Sequence, residues 1–136
     1  MNRSLPRTTL FMLMSVDGKI STGNTDERDF DKDLSGIKGT KEGLQQYYEL
    51  ERHTDINSFN TGRVMAKIGV NNRKDPTTKL PCSFIIVDNK PHLTERGVSY
   101  LTKWTKKLYL VTTNKKHPAF KLKNLDNLEI FTILKR

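Results

Sequence analysis

The sequence predicts an α/β protein with a largely parallel central sheet, and three observations lead to this class. Apolar segments with the length and β-branched content of buried strands recur along the chain. Segments in which apolar residues recur at helical spacing stand between them. Turn-forming residues, mainly Gly, Pro, Asn and Asp, separate the two kinds of segment. This alternation is typical of parallel strands joined by helical crossovers.

Two elements are predicted in the first part of the chain. The segment Thr8–Val16 is apolar, β-branched and too short for a buried helix, so it predicts a buried strand. A helix is predicted from Thr40, whose hydroxyl can cap it, to about Arg52. Residues 21–39 are polar and rich in turn formers, which indicates a loop with a short helical turn near Ser35.

The remainder of the chain is predicted to contain four strands and two helices. Its strongest strand signal is the continuous apolar run that follows Pro81, and Gly69 is expected to end a helix. In chain order the predicted elements are a strand at Asp55–Asn60, a helix at Arg63–Ile68, a strand at Pro81–Asp88, a helix at Glu95–Thr105, and strands at Lys107–Thr112 and Leu128–Leu134.

Charge is distributed unevenly along the 136 residues, whose net charge is +9. Residues 1–55 carry 8 basic and 10 acidic side chains, whereas residues 56–136 carry 16 basic and 5 acidic ones. The basic part indicates a polyanionic partner: nucleic acid, a membrane surface or a phosphorylated small molecule. A solvated surface that favours solubility would give the same composition.

Composition also limits the setting of the protein. No apolar run approaches the roughly 20 residues that span a bilayer, and no signal peptide is recognised, so a soluble, cytoplasmic protein is expected. Cys82 is the only cysteine and cannot form an internal disulfide. The histidines His53, His92 and His117 are far apart and have no partner at ligand spacing, so no metal site is expected.

Polar residues follow four of the predicted strands, and the carboxyl ends of parallel strands share one edge of a sheet. These segments are Ser15–Lys19, Asn60–Arg63, Asp88–Lys90 and Thr112–Lys115. Thr61-Gly62-Arg63 combines a helix start, a small residue and a permanent cation, which suits an anion, although a surface Arg after a turn glycine would look the same. Neither a GxGxxG nor a GxxxxGK[ST] motif is present.

The segment Met14-Ser15-Val16-Asp17-Gly18-Lys19-Ile20 resembles the opening signature of a known reductase family. This is the reductase domain of the bifunctional riboflavin-biosynthesis deaminase–reductase, a relative of dihydrofolate reductase. Gly62-Arg63 is similar to the Gly-Arg pair that meets the NADPH phosphate in dihydrofolate reductases, and Phe84–Asp88 resembles the family's strand that ends in Asp. The family usually has glycine at the position of Asn60 and threonine near that of Arg63.

The resemblance implies a dihydrofolate reductase-like three-layer sandwich, formed as a single domain by residues 1–136. It implies an NADPH-dependent oxidoreductase of riboflavin biosynthesis that acts like 5-amino-6-(5-phosphoribosylamino)uracil reductase. The family continues beyond the strand that corresponds to Leu128–Leu134, with a Gly-Gly segment against the cofactor pyrophosphate. Activity is therefore expected once further residues or a partner chain complete the fold, and the sheet edge at Leu134 predicts a homodimer or larger homo-oligomer.

The same resemblance assigns site residues, while hydride transfer itself belongs to the cofactor. No catalytic side chain and no metal ligand is assigned. The residues implied to bind a phosphorylated or heterocyclic substrate are Ser15, Asp17 and Lys19. Those implied to bind NADPH are Asn60, Thr61, Gly62, Arg63 and Asp88, with Arg63 on the adenosine 2′-phosphate. From the residues alone, Asp17-Gly18-Lys19 fits a salt-bridged turn better than a binding site.

Two alternative functions fit the same sequence. A pterin or dihydrofolate-type reductase would share the cofactor and would need a carboxylate on the first helix, for which Glu42, Glu49 and Glu51 are the candidates. A small nucleic-acid-binding module would use the basic part of the chain. Against the module, Tyr100, Trp104 and Tyr109 are spaced like core residues, and no known nucleic-acid-binding signature is present.

Overall fold

The computed structural model describes residues 5, 7–10, 12, 14, 16, 18, 23, 33–54 and 57–134. The chain divides into two compact units, residues 1–55 and residues 56–136. The expectation of a single domain over residues 1–136 stays a prediction. Among the described residues, no helix combines the length and the apolar character needed to cross a membrane.

In the first unit, helix α1 (Thr40–Thr54) confirms the helix that the sequence predicts. The turn before it is also present, since the N–H of Ile37 donates to the carbonyl of Leu34 at 3.0 Å. The predicted capping role of Thr40 is wrong. The buried Thr40 hydroxyl donates to the same Leu34 carbonyl at 2.9 Å, so it fastens the turn to the helix start.

The predicted strand Thr8–Val16 is wrong at the positions that the structure describes. Residues 8–10, 12 and 14 belong to no helix or strand, and the side chain of Leu10 is 81% exposed. An apolar run becomes a strand only where pairing and burial offset the entropy lost on ordering it. Burial is not found at these positions, and the other residues of the run lie outside the described part of the chain.

The second unit contains a four-stranded sheet whose order and direction confirm the predicted class. The strands are β1 (Asn57–Thr61), β2 (Ser83–Val87), β3 (Leu108–Thr112) and β4 (Leu128–Thr132). They lie in the order β1-β2-β3-β4, and every adjacent pair is parallel. The unit is thus an α/β structure with an all-parallel sheet, and each strand coincides with a predicted one within three residues at each end.

Two helices and two short 3₁₀ turns connect these strands. Helix α2 (Gly62–Lys67) follows β1 directly, and helix α3 (Glu95–Trp104) lies between β2 and β3. The 3₁₀ turns are Val70–Asn72 and Pro118–Leu122. Gly69 has a φ of +83° and donates its N–H to the carbonyl of Ala66, which confirms that a left-handed glycine ends α2.

The core lies on the face of the sheet that these helices cover. It is formed by alternate strand residues and by residues of α2, α3 and the second 3₁₀ turn: Phe84, Ile86, Leu108, Leu110, Leu128, Met65, Val98, Leu101 and Ala119. Tyr100 and Trp104 belong to the same region, with ring centroids 5.6 Å apart. On the other face, Val87, Val111 and Phe131 lie side by side in register, and Phe131 is 46% exposed.

Candidate functional site

Hydrogen bonds and close packing join the carboxyl ends of three strands around Asp88, the residue that follows β2. Gly62, at the end of β1, lies against it, because a Cβ placed on Gly62 would come 2.2 Å from the Asp88 Cγ. Thr112, at the end of β3, donates its hydroxyl to the Asp88 carbonyl at 2.8 Å. Beyond it, the N–H of Thr113 donates to Asn89 Oδ1 at 2.9 Å. This edge of the sheet is therefore a connected polar structure.

The Asp88 carboxylate is 1% exposed and accepts hydrogen bonds from three residues. The N–H of His92 approaches both of its oxygens at 3.1 Å, and the N–H of Leu93 donates to Oδ2 at 3.0 Å. The imidazole Nδ1 of His92 lies 2.9 Å from Oδ1, and Nε2 of His117 lies 3.0 Å from Oδ2. Its two oxygens are thus fully engaged within the protein.

These contacts determine the charge of Asp88. Burial alone would raise its pKa, but hydrogen bonds from His117, from the N–H of Leu93 and from His92 together hold the pKa below the ordinary value of 3.8. Asp88 is consequently a carboxylate at neutral pH, and it can only accept hydrogen bonds.

An ionised acceptor fixes the tautomer of both imidazoles. His117 is buried, and its Nδ1 accepts the N–H of Ala119 at 3.1 Å, so the proton of the neutral ring is on Nε2 and is donated to Asp88. His92 donates from Nδ1, and in the neutral ring this leaves the lone pair on Nε2. The side chain of His92 is 38% exposed, whereas that of His117 is completely buried.

The backbone around His92 is held from both sides. Its N–H is bound by Asp88, and its carbonyl accepts the side-chain amide of Asn71 at 2.9 Å. The Oδ1 of Asn71 accepts the N–H of Thr94 at 2.9 Å. A Cβ on Gly97 would come 2.1 Å from the same oxygen, so the first turn of α3 is packed against Asn71. The loop between β2 and α3 is thereby fixed at several points.

The residues predicted to bind the cofactor lie at or next to this edge. Thr61 uses its hydroxyl to cap α2, accepting the N–H of Val64 at 3.3 Å. Asn60 donates its side-chain amide to Ser58 Oγ at 3.0 Å. Arg63 is exposed in the first turn of α2. The structure therefore brings Thr61, Gly62 and Arg63 together with Asp88, and the packing of Gly62 on Asp88 explains why this position has no side chain.

The residues predicted to bind substrate cannot be placed in the same way. Ser15, Asp17 and Lys19 lie outside the described residues. Their predicted role at the sheet edge stays a prediction.

Sequence reasoning missed the histidines of this site. From the sequence these histidines are considered only as metal ligands, and the binding of both His92 and His117 to the Asp88 carboxylate is not predicted. Periodicity gives no information about a contact between residues so far apart along the chain. One local signal was available: His117 precedes Pro118 at the start of a 3₁₀ turn, a position where a side chain often accepts a backbone N–H. Within the described part of the chain, no group of three or more His, Cys, Asp or Glu is arranged to hold a metal ion.

The surface around this edge is positive. The exposed cations that follow β1, β2 and β3 are Arg63, Lys90, Lys115 and Lys116. Three acidic side chains of the second unit are paired with lysines, namely Asp75 with Lys103, Glu95 with Lys121 and Glu129 with Lys107. Since Asp88 is buried, the carboxyl edge presents mainly positive charge to a ligand.

Comparisons with known proteins do not identify a family for this chain. No family model matches it, and no curated protein or solved structure is significantly similar to it. The geometry of the site and the sequence motifs are therefore the basis for a functional assignment.

Proposed function

We propose that this chain is an NADPH-dependent reductase that resembles 5-amino-6-(5-phosphoribosylamino)uracil reductase and transfers a hydride from NADPH to a ribosylamino-pyrimidine. One observation carries the proposal: Thr61, Gly62 and Arg63 lie at the carboxyl end of β1, beside the Asp88 loop that follows β2. Ligands of parallel α/β sheets bind beyond the carboxyl ends of the strands. The all-parallel sheet supports the proposal at the level of fold.

Arg63 would recognise the adenosine 2′-phosphate of the cofactor. Its guanidinium is permanently charged and can bind a phosphate through two parallel hydrogen bonds. The exposed Lys90 and Lys115, which follow the next two strands, would add positive potential around the same anion. Because NADH lacks this phosphate, the arrangement favours NADPH over NADH.

Gly62 and Asp88 would act by positioning. The Asp88 oxygens are already occupied by His92, Leu93 and His117, so this carboxylate holds the loops around the site and does not itself contact a phosphate. Gly62 allows α2 to begin directly against that carboxylate. Together these two residues would set the position and direction of the first turn of α2, which carries Arg63.

The cofactor and the protein residues would have separate parts in the reaction. The bound cofactor supplies the hydride. Asn60 and Thr61 would lie beside its ribose or pyrophosphate, and Ser15, Asp17 and Lys19 would orient the substrate. A pterin or dihydrofolate-type reductase would use the same cofactor site and differ in the substrate.

The nucleic-acid alternative receives less support from the described residues. A stacking platform needs exposed aromatic rings on a basic surface. Tyr100 is buried, and Trp104 packs against the core and against the ring of Phe84, with centroids 5.6 Å apart. Tyr100 and Trp104 therefore offer no stacking platform. The exposed rings of Phe59 and Phe131 lie on β1 and β4, which are separated by two strands of the sheet, so they do not form one continuous platform either.

Cofactor binding tests the proposal directly. NADPH is titrated into the full chain while the fluorescence of Trp104 or of the reduced nicotinamide is followed. We expect micromolar binding and a loss of about tenfold or more in Arg63→Ala, since a charge-assisted hydrogen bond contributes about 1.5–3 kcal/mol. Lys106→Ala is the matched control, because this exposed lysine precedes β3 at the opposite edge of the sheet. Absence of NADPH binding, or equal losses in both variants, would contradict the proposal.

A further inference from the structure

The side chain and the backbone of His92 are both fixed by hydrogen bonds, although the residue lies at the surface. Its side chain is partly exposed, its Nδ1 donates to a buried carboxylate, and its backbone N–H and carbonyl are both bonded by side chains. From this geometry we infer that His92 is a phosphoryl acceptor, whose Nε2 takes a phosphoryl group from an activated donor of the phosphoramidate class. The inference is independent of the proposed reductase activity.

The transfer is balanced without any other reactant. The donor reacts in the form whose nitrogen is protonated (–NH3+). The lone pair of Nε2 attacks phosphorus, the P–N bond breaks with its electron pair going to nitrogen, and neutral ammonia leaves. A new Nε2–P bond forms, and the proton on Nδ1 stays in place. The ring thereby becomes a phosphorylated imidazolium, whose positive charge develops 2.9 Å from an Asp88 oxygen.

Asp88 is suited to stabilise that developing charge. It is an ionised carboxylate in a site with 1% exposure, where an opposite charge interacts more strongly than in water. A carboxylate bonded to Nδ1 also orients the ring and stabilises its cationic form, as the aspartate of a catalytic triad does for its histidine. The same bond keeps the attacking lone pair on Nε2, the nitrogen on the far side of the ring.

The fixed main chain of His92 also favours the attack on phosphorus. Asp88 and Asn71 hold the main chain of His92 on both sides, so little conformational freedom has to be lost before the attack. The positive surface of the second unit, including the exposed Lys90 two residues earlier, attracts an anionic donor.

The chain offers two internal references for the reactivity of His92. His117 shares the same carboxylate but is completely buried, and its Nδ1 accepts the N–H of Ala119, so both ring nitrogens are engaged. His53 is exposed on α1 and provides the reactivity of an accessible histidine. The inference therefore predicts an order of reaction rates: His92 first, His53 much slower, and His117 unreactive.

The test uses the full chain with potassium phosphoramidate at neutral pH. Intact mass measured over time gives the rate at which one phosphoryl group is added, and peptide mapping under alkaline conditions, where phosphohistidine survives, locates it. We expect His92 to be modified about tenfold or more faster than His53, which corresponds to about 1.4 kcal/mol in barrier. The adduct should be lost in acid, and His92→Gln should remove the fast phase while His53→Gln keeps it.

Asp88→Asn then isolates the contribution of the carboxylate. If the variant folds, as circular dichroism reports, His92 should react at the slow rate of His53. An unchanged fast rate in the folded variant would overturn the inference. If the variant does not fold, the test is the ratio of the phosphorylation rates of His92 and His53 in the natural chain. A ratio near one would overturn the inference.

Discussion

At the scale of single residues, Asp88 organises the carboxyl edge of the sheet. Its carboxylate binds a ring nitrogen of two histidines and two backbone N–H groups, all within 3.1 Å. A carboxylate can be buried when its lone pairs are filled in this way. The same bonds connect β2 to the loop that begins α3 and to the turn that follows β3.

Replacing Asp88 by Asn should destabilise the protein by about 3 kcal/mol. The substitution removes the charge from at least two charge-assisted hydrogen bonds and leaves an N–H group facing buried donors. Urea unfolding measures the free energy of unfolding. Asp75→Asn is the control, because this exposed carboxylate forms a surface ion pair with Lys103, and a much smaller loss is expected there. Equal effects in the two variants would show that Asp88 is not a structural centre.

Stability should also fall in acid because of Asp88. Its pKa is below 3.8 in the folded protein, whereas an unfolded Asp titrates near about 3.9, so the unfolded state binds more protons in this range. The contribution of Asp88 is complete above about pH 5 and is lost as pH falls through the folded pKa. Urea unfolding at several pH values between about 3 and 7 should show this loss in the natural chain and a reduced slope in Asp88→Asn. Parallel profiles would contradict the assignment.

At the scale of elements, the sequence predicts the second unit well because its signals are local. A continuous apolar run predicts β2, and a left-handed glycine at position 69 ends α2 as expected. The segment Thr8–Val16 has a similar composition, yet its described residues form no strand, since burial is decided by distant parts of the chain. The shared contact of His92 and His117 with Asp88 depends on the fold in the same way, and periodicity carries no information about it.

The start of α2 can be tested by adding a single methyl group. Gly62→Ala places a Cβ 2.2 Å from the Asp88 Cγ, so backbone or carboxylate must move, and we expect a loss of about 2 kcal/mol or more in unfolding free energy. Gly43→Ala is the matched control within α1, since a Cβ there meets nothing within 4 Å and alanine favours helix by about 1 kcal/mol. Thermal or urea unfolding compares the two variants. A tolerated Gly62→Ala would mean that the contact with Asp88 is not close.

At the scale of the whole molecule, charge and exposed apolar surface indicate how the chain interacts with other molecules. The chain carries a net charge of +9, and the excess lies in the second unit. In that unit β4 is an outermost strand of the described sheet. Phe131 in this strand is exposed, and so are Ile133 and Leu134, which follow it in the chain. An apolar edge strand is prone to pair with another chain.

The homodimer predicted from the sequence can be tested through this strand. Light scattering should give a mass above 15.7 kDa. Phe131→Lys should shift the mass toward that of the monomer, because it places a charge on the exposed strand that is predicted to pair with a second chain. Leu125→Lys is the control, since Leu125 is also exposed but lies in the turn before β4. A mass of 15.7 kDa for the natural chain would exclude the homodimer.

The role of Arg63 in recognising the cofactor phosphate is the central claim, and a binding cycle tests it most directly. Affinities for NADPH and NADH are measured for the natural chain and for Arg63→Ala under the same conditions. We predict that the variant loses about tenfold or more in affinity for NADPH and little for NADH, because only NADPH carries the 2′-phosphate. Equal losses for the two cofactors would contradict the account, since Arg63 would then not distinguish the phosphate.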